Sequence, residues 1–284
     1  MRILSTLLAL GCAGLMAACG GGGDAGASVS NMSATPSTIG YGKMLVVNVS
    51  GSGLATSTAS VEPGCTMTPT SRSDTAAAFT CRVLATGDLR VRVRNNEGKE
   101  LASLRIDVAI PQVSMTVKQG AATGTMVIEL DPAAAPKTAE NFMIYVNTGQ
   151  CFYRDTLFHR VIPNFVVQAG GYSNGFTPKT GLGPPIVLES NNGLKNLRGT
   201  IAMARTDEPN SATSQFYFNV KDNPDLDYKS AENPGYAVFG RILPDVQDGL
   251  KVIDAIAAVA TQATPGFPNA PVENVTISAC SQLR

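Results

Sequence analysis

The chain has 284 residues, 44% apolar and 15% charged, and its 22 Lys plus Arg balance 22 Asp plus Glu. A length of this size suits two domains of roughly 100–200 residues each, and the apolar share excludes wholesale disorder. The absence of net charge argues against a nucleic-acid partner, which needs a basic stripe, and the single histidine, His159, excludes a metal site built on several imidazoles.

Arg2 is followed by an apolar or small-residue run to Ala18, the pattern of a secretory signal peptide. The run is shorter than the roughly 20 apolar residues a membrane span needs. Leu15-Met16-Ala17-Ala18-Cys19 resembles a bacterial lipobox, which implies removal of residues 1–18 and lipidation of Cys19. Gly20 directly after that cysteine resembles an outer-membrane sorting pattern, and Gly20 to Gly23 open a flexible tether over residues 19–27. The expectation is an exported lipoprotein of the outer membrane, facing the periplasm and touching the membrane through its lipid alone. Cys12 leaves with the signal, so Cys65, Cys81, Cys151 and Cys280 remain, an even set in an oxidising compartment. Cys65 with Cys81 closes a short loop worth about 3 kcal/mol. Cys151 with Cys280 is the remaining pairing, which the sequence leaves open because it does not set their Cα separation.

Residues 28–110 alternate with period two and break at turn residues. Met44 to Val49, Ala78 to Val83, Leu89 to Arg94 and Leu104 to Val108 are predicted strands of an antiparallel sandwich. Pro36 to Gly42, a strand, then Gly51-Ser52-Gly53-Leu54 resemble the opening of bacterial immunoglobulin-like domains. No cluster of acids, histidines or nucleophiles occurs here, so a spacer is expected, with a partner-binding module as the alternative.

In residues 112–284, Gly124 to Leu130 alternates as a strand. Pro136 suits a first helical turn, and Thr138, Phe142, Tyr145 and Val146 line one face of a helix ending near Gly149. A second helix is predicted over Asp248–Ala258, with Leu250, Ile253 and Ile256 on one stripe. Short strands fill the interval. The fold class is therefore mainly β, and a closed barrel capped by two helices is the expected architecture, since closure removes sheet edges.

Five ordered blocks then stand out: Lys137-Thr138-Ala139-Glu140-Asn141-Phe142, Phe158 to Gly171, Gly199 to Arg205, Ser214-Gln215-Phe216-Tyr217 and Tyr236 to Gly240. Residues 112–284 resemble the cyclophilins, peptidyl-prolyl cis–trans isomerases, and most nearly their periplasmic bacterial branch. The resemblance implies a cyclophilin-like barrel, no cofactor or metal, and proline-containing unfolded or flexible polypeptides as partners. It assigns Arg160, Phe165 and Gln168 to catalysis: the guanidinium as donor to the imide nitrogen, the ring as a pocket wall, the amide as holder of the arginine. Val166, Ala204, Arg205, Gln215, Tyr217, Leu226 and Tyr236 match substrate-binding positions. His159 is expected to be a satisfied structural residue, because alternation turns it away from Arg160. Some positions depart from the family pattern. Val166 replaces a common methionine, Tyr217 a phenylalanine, and Tyr236 a histidine of eukaryotic members. Asp225 occupies the slot of a large aromatic, tryptophan in cyclosporin-sensitive members, so weak or no cyclosporin binding is expected. The alternative to an isomerase is a cyclophilin-fold peptide-binding chaperone with little turnover.

Overall fold

Alternation in Leu89-Arg90-Val91-Arg92-Val93-Arg94 should put the apolar residues inside, and Leu89, Val91 and Val93 are indeed buried. The computed structural model describes residues 26–284, so the signal peptide and the lipidation of Cys19 lie outside the described residues. The first body contains β1 (Ser28–Thr35), β2 (Met44–Ser52), β3 (Thr58–Glu62), β4 (Thr68–Arg72), β5 (Ala76–Arg82), β6 (Gly87–Arg94) and β7 (Glu100–Val108). They form a four-stranded sheet ordered β1-β2-β5-β4 and a three-stranded sheet ordered β3-β6-β7. Leu45, Val47 and Phe79 of one sheet share a core with Val61, Val91 and Val93 of the other. The Cys65–Cys81 disulfide, its Cα atoms 6.4 Å apart, ties the turn after β3 to β5 of the other sheet.

The second body opens with β8 (Gln112–Gln119), β9 (Ala122–Leu130) and α1 (Pro136–Asn147). Pro136 starts α1 without a side-chain cap from the preceding residue. A distant carboxylate takes that role: Glu189 accepts from the Lys137 and Thr138 amides (3.0 and 2.8 Å) and from the Thr138 hydroxyl (2.8 Å). A negative charge there satisfies orphan donors and opposes the helix dipole. The buried face carries Phe142, whose ring centroid lies 5.1, 5.5 and 5.2 Å from those of Tyr153, Phe216 and Phe239.

Short strands follow: β10 (Thr156–Leu157), β11 (Arg160–Val161), β12 (Val166–Ala169), β13 (Tyr172–Ser173), β14 (Thr177–Pro178), β15 (Thr200–Met203) and β16 (Phe216–Asn219). The chain ends with β17 (Val238–Gln247), α2 (Lys251–Ala257), β18 (Thr261–Thr264), β19 (Phe267–Pro271) and β20 (Val275–Gln282). The mainly β class with two helices is borne out. Helix α2 begins three residues later than the periodicity implies, because Gly249 sits at φ +52°, outside the right-handed helical region. Its apolar stripe still buries Val252, Ile253 and Ile256.

The closed barrel is not. Eleven strands form one curled, open half-barrel in the order β11-β12-β16-β15-β17-β9-β8-β20-β10-β13-β14. The end strands β11 and β14 have two residues each, too few ladder groups to close a barrel against each other. The β18–β19 hairpin lies over both ends instead: β19 packs on β11, and its Phe267 sits edge-on against Tyr172 of β13 (4.8 Å) and tilted against Phe176 beside β14 (4.5 Å). Covering an edge is one way of blunting it where closure is absent. Cys151 and Cys280, the pairing left open by the sequence, are bonded with Cα atoms 5.8 Å apart and tie the loop after α1 to β20.

The two bodies are in contact. Gln282 Nε2 donates to the Tyr41 carbonyl (3.0 Å), and Lys43 Nζ donates to Asn147 Oδ1 (2.7 Å). The Tyr41 side chain is fully buried, and one contiguous apolar cluster runs through both bodies.

Candidate active site

Directly paired residues on antiparallel strands share a sheet face. Arg160 of β11 pairs with Gln168 of β12, and Gln168 pairs with Tyr217 of β16. Tyr217 pairs with Ala202 of β15, which pairs with Val238 of β17. These five residues therefore form one row across the outer face of the half-barrel, while Val161, Val167, Phe216 and Phe218 of alternate parity fill its interior.

Val166, two residues before Gln168, joins Tyr217, Ala202 and Val238 in an apolar patch separate from the main core. Phe165, Leu194, Ala204, Leu226 and Tyr236 stand partly exposed around it and complete a cup. Phe165 reaches the rim because Asn164 takes a left-handed turn (φ 55°) just before β12. The half-buried Arg160 lies at the cup's edge, its guanidinium carbon 5.8 Å from the Phe165 ring centroid. Arg160 Nη1 donates to Gln168 Oε1 at 3.4 Å, and Gln168 Nε2 donates to Gln215 Oε1 at 3.0 Å. Gly171 permits this relay, because a Cβ there would sit 2.6 Å from the Gln215 carboxamide carbon.

The hydroxyl that Tyr217 adds to the cup floor finds a partner behind it. It donates to Asn196 Oδ1 at 2.8 Å, and burial pushes the Tyr217 phenol well above its ordinary value. Asn196 in turn donates through its amide and Nδ2 to Asp227 Oδ1 (2.8 and 3.1 Å). Asn219 Nδ2 donates to the same Asn196 oxygen at 3.2 Å, and Asn223 Nδ2 donates to Asn219 Oδ1 (2.8 Å) and to the Phe165 carbonyl (3.0 Å). Asn196, Asn219 and Asn223 were missed by the sequence reading, yet they fix the floor and wall of the cup. Their one signal is a set of amides beside otherwise apolar blocks.

Arg205 is spent within the protein: its guanidinium lies 4.8 Å over the Tyr236 ring and Nε donates to the Gly235 carbonyl at 3.0 Å. The Ala204 amide donates to the Gln215 carbonyl at 2.9 Å. Asp225 points into solvent with 95% of its side chain exposed and pairs with Lys229 at 3.0 Å, so it adds no wall to the cup.

His159 is structural but not fully satisfied. Its ring is buried against Tyr172 and Phe267, and Nδ1 has no partner among the described residues. Burial pushes its pKa down to about 4. The folded pKa lies below the unfolded one, so this stabilisation is present above pH ~6.5 and is lost as pH falls toward ~4. Urea unfolding should therefore show wild type losing about 2–3 kcal/mol more than His159→Gln between roughly pH 7 and pH 4.5. Equal losses in the two proteins would contradict the buried neutral ring.

A family model described as cyclophilin type peptidyl-prolyl cis-trans isomerase/CLD matches residues 112–282. The peptidyl-prolyl cis-trans isomerase cyp18 of Streptomyces antibioticus is 45% identical over 170 residues, covering 59% of this chain and 98% of that protein. The peptidyl-prolyl cis-trans isomerase A of Dickeya dadantii is 44% identical over 161 residues, 57% of this chain and 80% of that one. The peptidyl-prolyl cis-trans isomerase B of Escherichia coli is 44% identical over 158 residues, 55% of this chain and 92% of that one. Through the half that bears the cup and Arg160, this chain belongs to the cyclophilin-type peptidyl-prolyl cis-trans isomerase family.

Proposed function

We propose that this chain isomerises X-Pro bonds of exported polypeptides in the cell envelope, with Arg160 as the catalytic donor. Amide conjugation sets a barrier of about 18–20 kcal/mol, and X-Pro bonds exchange in tens to hundreds of seconds. Lowering it needs neither nucleophile nor metal. The imide nitrogen regains its lone pair as the bond twists, and a donor aimed at that lone pair stabilises the twisted state above either planar one. Removing about 7 kcal/mol accelerates exchange about 10⁵-fold. The observation that carries the reading is the half-buried guanidinium of Arg160 at the rim of an apolar cup. Phe165, Val166, Tyr217 and Leu226 grip the proline ring, Gln168 holds Arg160 and is itself held by Gln215, and both glutamines meet the substrate backbone. Ala204, Arg205 and Tyr236 flank the peptide. The Tyr217 hydroxyl is bonded behind the cup and Asp225 stands outside it, which favours turnover over a binding-only chaperone.

The leader pattern supports cleavage after residue 18, lipidation of Cys19 and a periplasm-facing outer-membrane location, and the two disulfides suit that compartment. For residues 28–110 we propose an immunoglobulin-like sandwich. Its support is the strand order β1-β2-β5-β4 and β3-β6-β7, which matches the ABED and CFG sheets of a constant-type domain. Its disulfide departs from that pattern, joining the turn after β3 to β5.

The purified chain from Gly20 onward should accelerate isomerisation of an X-Pro tetrapeptide in a protease-coupled assay, and cyclosporin should not inhibit it at nanomolar concentrations. Peptide binding without acceleration would establish the chaperone instead. Nanomolar inhibition would contradict the reading of Asp225.

A further inference from the structure

We infer that the groove between the two bodies is a second, apolar subsite for the same polypeptide whose X-Pro bond enters the cup. The inference rests on the isomerase reading. The groove encloses about 430 Å³ and is lined by Leu194, Leu197 and Val238 of the second body, by Ile110 of the connection, and by Thr86 of the first body. Leu194 and Val238 also belong to the cup, so the groove begins where the cup ends. Asn192 fixes that shared wall: its Nδ2 donates to the Val238 carbonyl (2.8 Å) and its Oδ1 accepts from the Leu194 amide (3.0 Å).

Two features name the occupant. Ile110 and Leu197 stand 48% and 52% exposed in the groove, large apolar side chains facing water where a ligand side chain would cover them. Both cations at its rim are paired within the protein, Arg241 with Glu129 at 3.3 Å and Lys195 with Asp227 at 3.7 Å, whereas the Asp131 carboxylate accepts from the Ala134 amide at 3.0 Å and keeps its charge. A site with its cations paired and one carboxylate at its rim selects an uncharged apolar side chain over an acidic one. Val238 lies two strands from Tyr217, about 10 Å, which an extended chain covers in about three residues. The ligand is thus an extended polypeptide with a large apolar residue about three positions from its proline. The first body then shapes substrate choice as well as reach.

The test compares an X-Pro tetrapeptide with a longer peptide carrying Leu three residues to either side of the proline. Wild type should process the longer peptide with kcat/KM about five- to tenfold higher, mainly through KM, as expected of uniform binding. The double variant Ile110→Ser, Leu197→Ser should match wild type on the tetrapeptide, which shows an intact fold, and lose the preference. Independently of any variant, replacing both Leu residues of the long peptide by Asp should abolish the preference of wild type. A preference that survives the double variant or the Asp peptide overturns the subsite, as does a wild type active on both peptides without preference. A wild type inactive on both overturns the isomerase reading beneath it.

Discussion

Arg160→Ala is expected to lower kcat/KM for an X-Pro peptide by about 100- to 1,000-fold, the usual loss when one preorganised donor is removed from a partly dry site. The residue stands half-buried in a two-residue strand, and its guanidinium makes one long bond to Gln168, at 3.4 Å. Little folding energy rides on it, so thermal unfolding should hardly move while turnover collapses. Gln168 is itself held by Gln215, which leaves its Oε1 free to orient the guanidinium rather than follow it. Arg160→Lys should restore only part of the rate, because an ammonium lacks the planar fork that fixes the donor's direction. The loss should fall on kcat, since the apolar cup that binds the ring is untouched. Stopped-flow kinetics with Arg160→Ala, Arg160→Lys and wild type checks the order.

The second large effect concerns stability. Breaking the Cys151–Cys280 bond should cost about 5 kcal/mol, more than the roughly 3 kcal/mol expected for Cys65–Cys81, because loop-closure entropy grows with loop length. The sequence separations are 129 and 16 residues. The longer bridge also joins the loop after α1 to β20, the strand that pairs with β8 inside the half-barrel. Gln282 at the end of β20 reaches the Tyr41 carbonyl, so loosening that strand loosens the contact between the bodies. Urea unfolding of the Cys151→Ser, Cys280→Ser variant should show a midpoint well below that of wild type and below that of Cys65→Ser, Cys81→Ser. An unchanged midpoint for the first pair would show that β20 is held by its ladder alone.

The elements legible in the sequence were those with strong local patterns. Leu89 to Arg94 alternates so strictly that its inward face is unambiguous, and α1 follows from a proline at its first turn and an apolar stripe. Strand β1, Ser-Val-Ser-Asn-Met-Ser-Ala-Thr, carries too little apolar content to announce itself and is held by pairing with β2. The β18–β19 hairpin contains three prolines, Pro265, Pro268 and Pro271, and its place is set by Phe267 packing on Tyr172 and Phe176, distant residues no local window contains. The barrel expectation failed for a related reason: closure depends on how long the last strands are, and two-residue strands leave no periodic trace.

The site was legible in a different way. The cup residues sit in motif blocks whose meaning came through family resemblance, whereas their common row follows from strand register, which only the fold supplies. The asparagines behind the cup escaped notice because their partners are far along the chain: Tyr217 is 21 residues from Asn196, and Asp227 is 31. The groove beside Leu194 was invisible for the same reason, being formed only where two bodies meet.

NMR exchange spectroscopy on an Ala-Pro peptide separates the twisting of the bond from the binding of the ring. Wild type should bind the peptide and interconvert its cis and trans resonances on the enzyme, whereas Arg160→Ala should bind it comparably and leave the two resonances without detectable exchange. Exchange at the wild-type rate in Arg160→Ala would contradict the assignment of that guanidinium as the donor to the imide nitrogen.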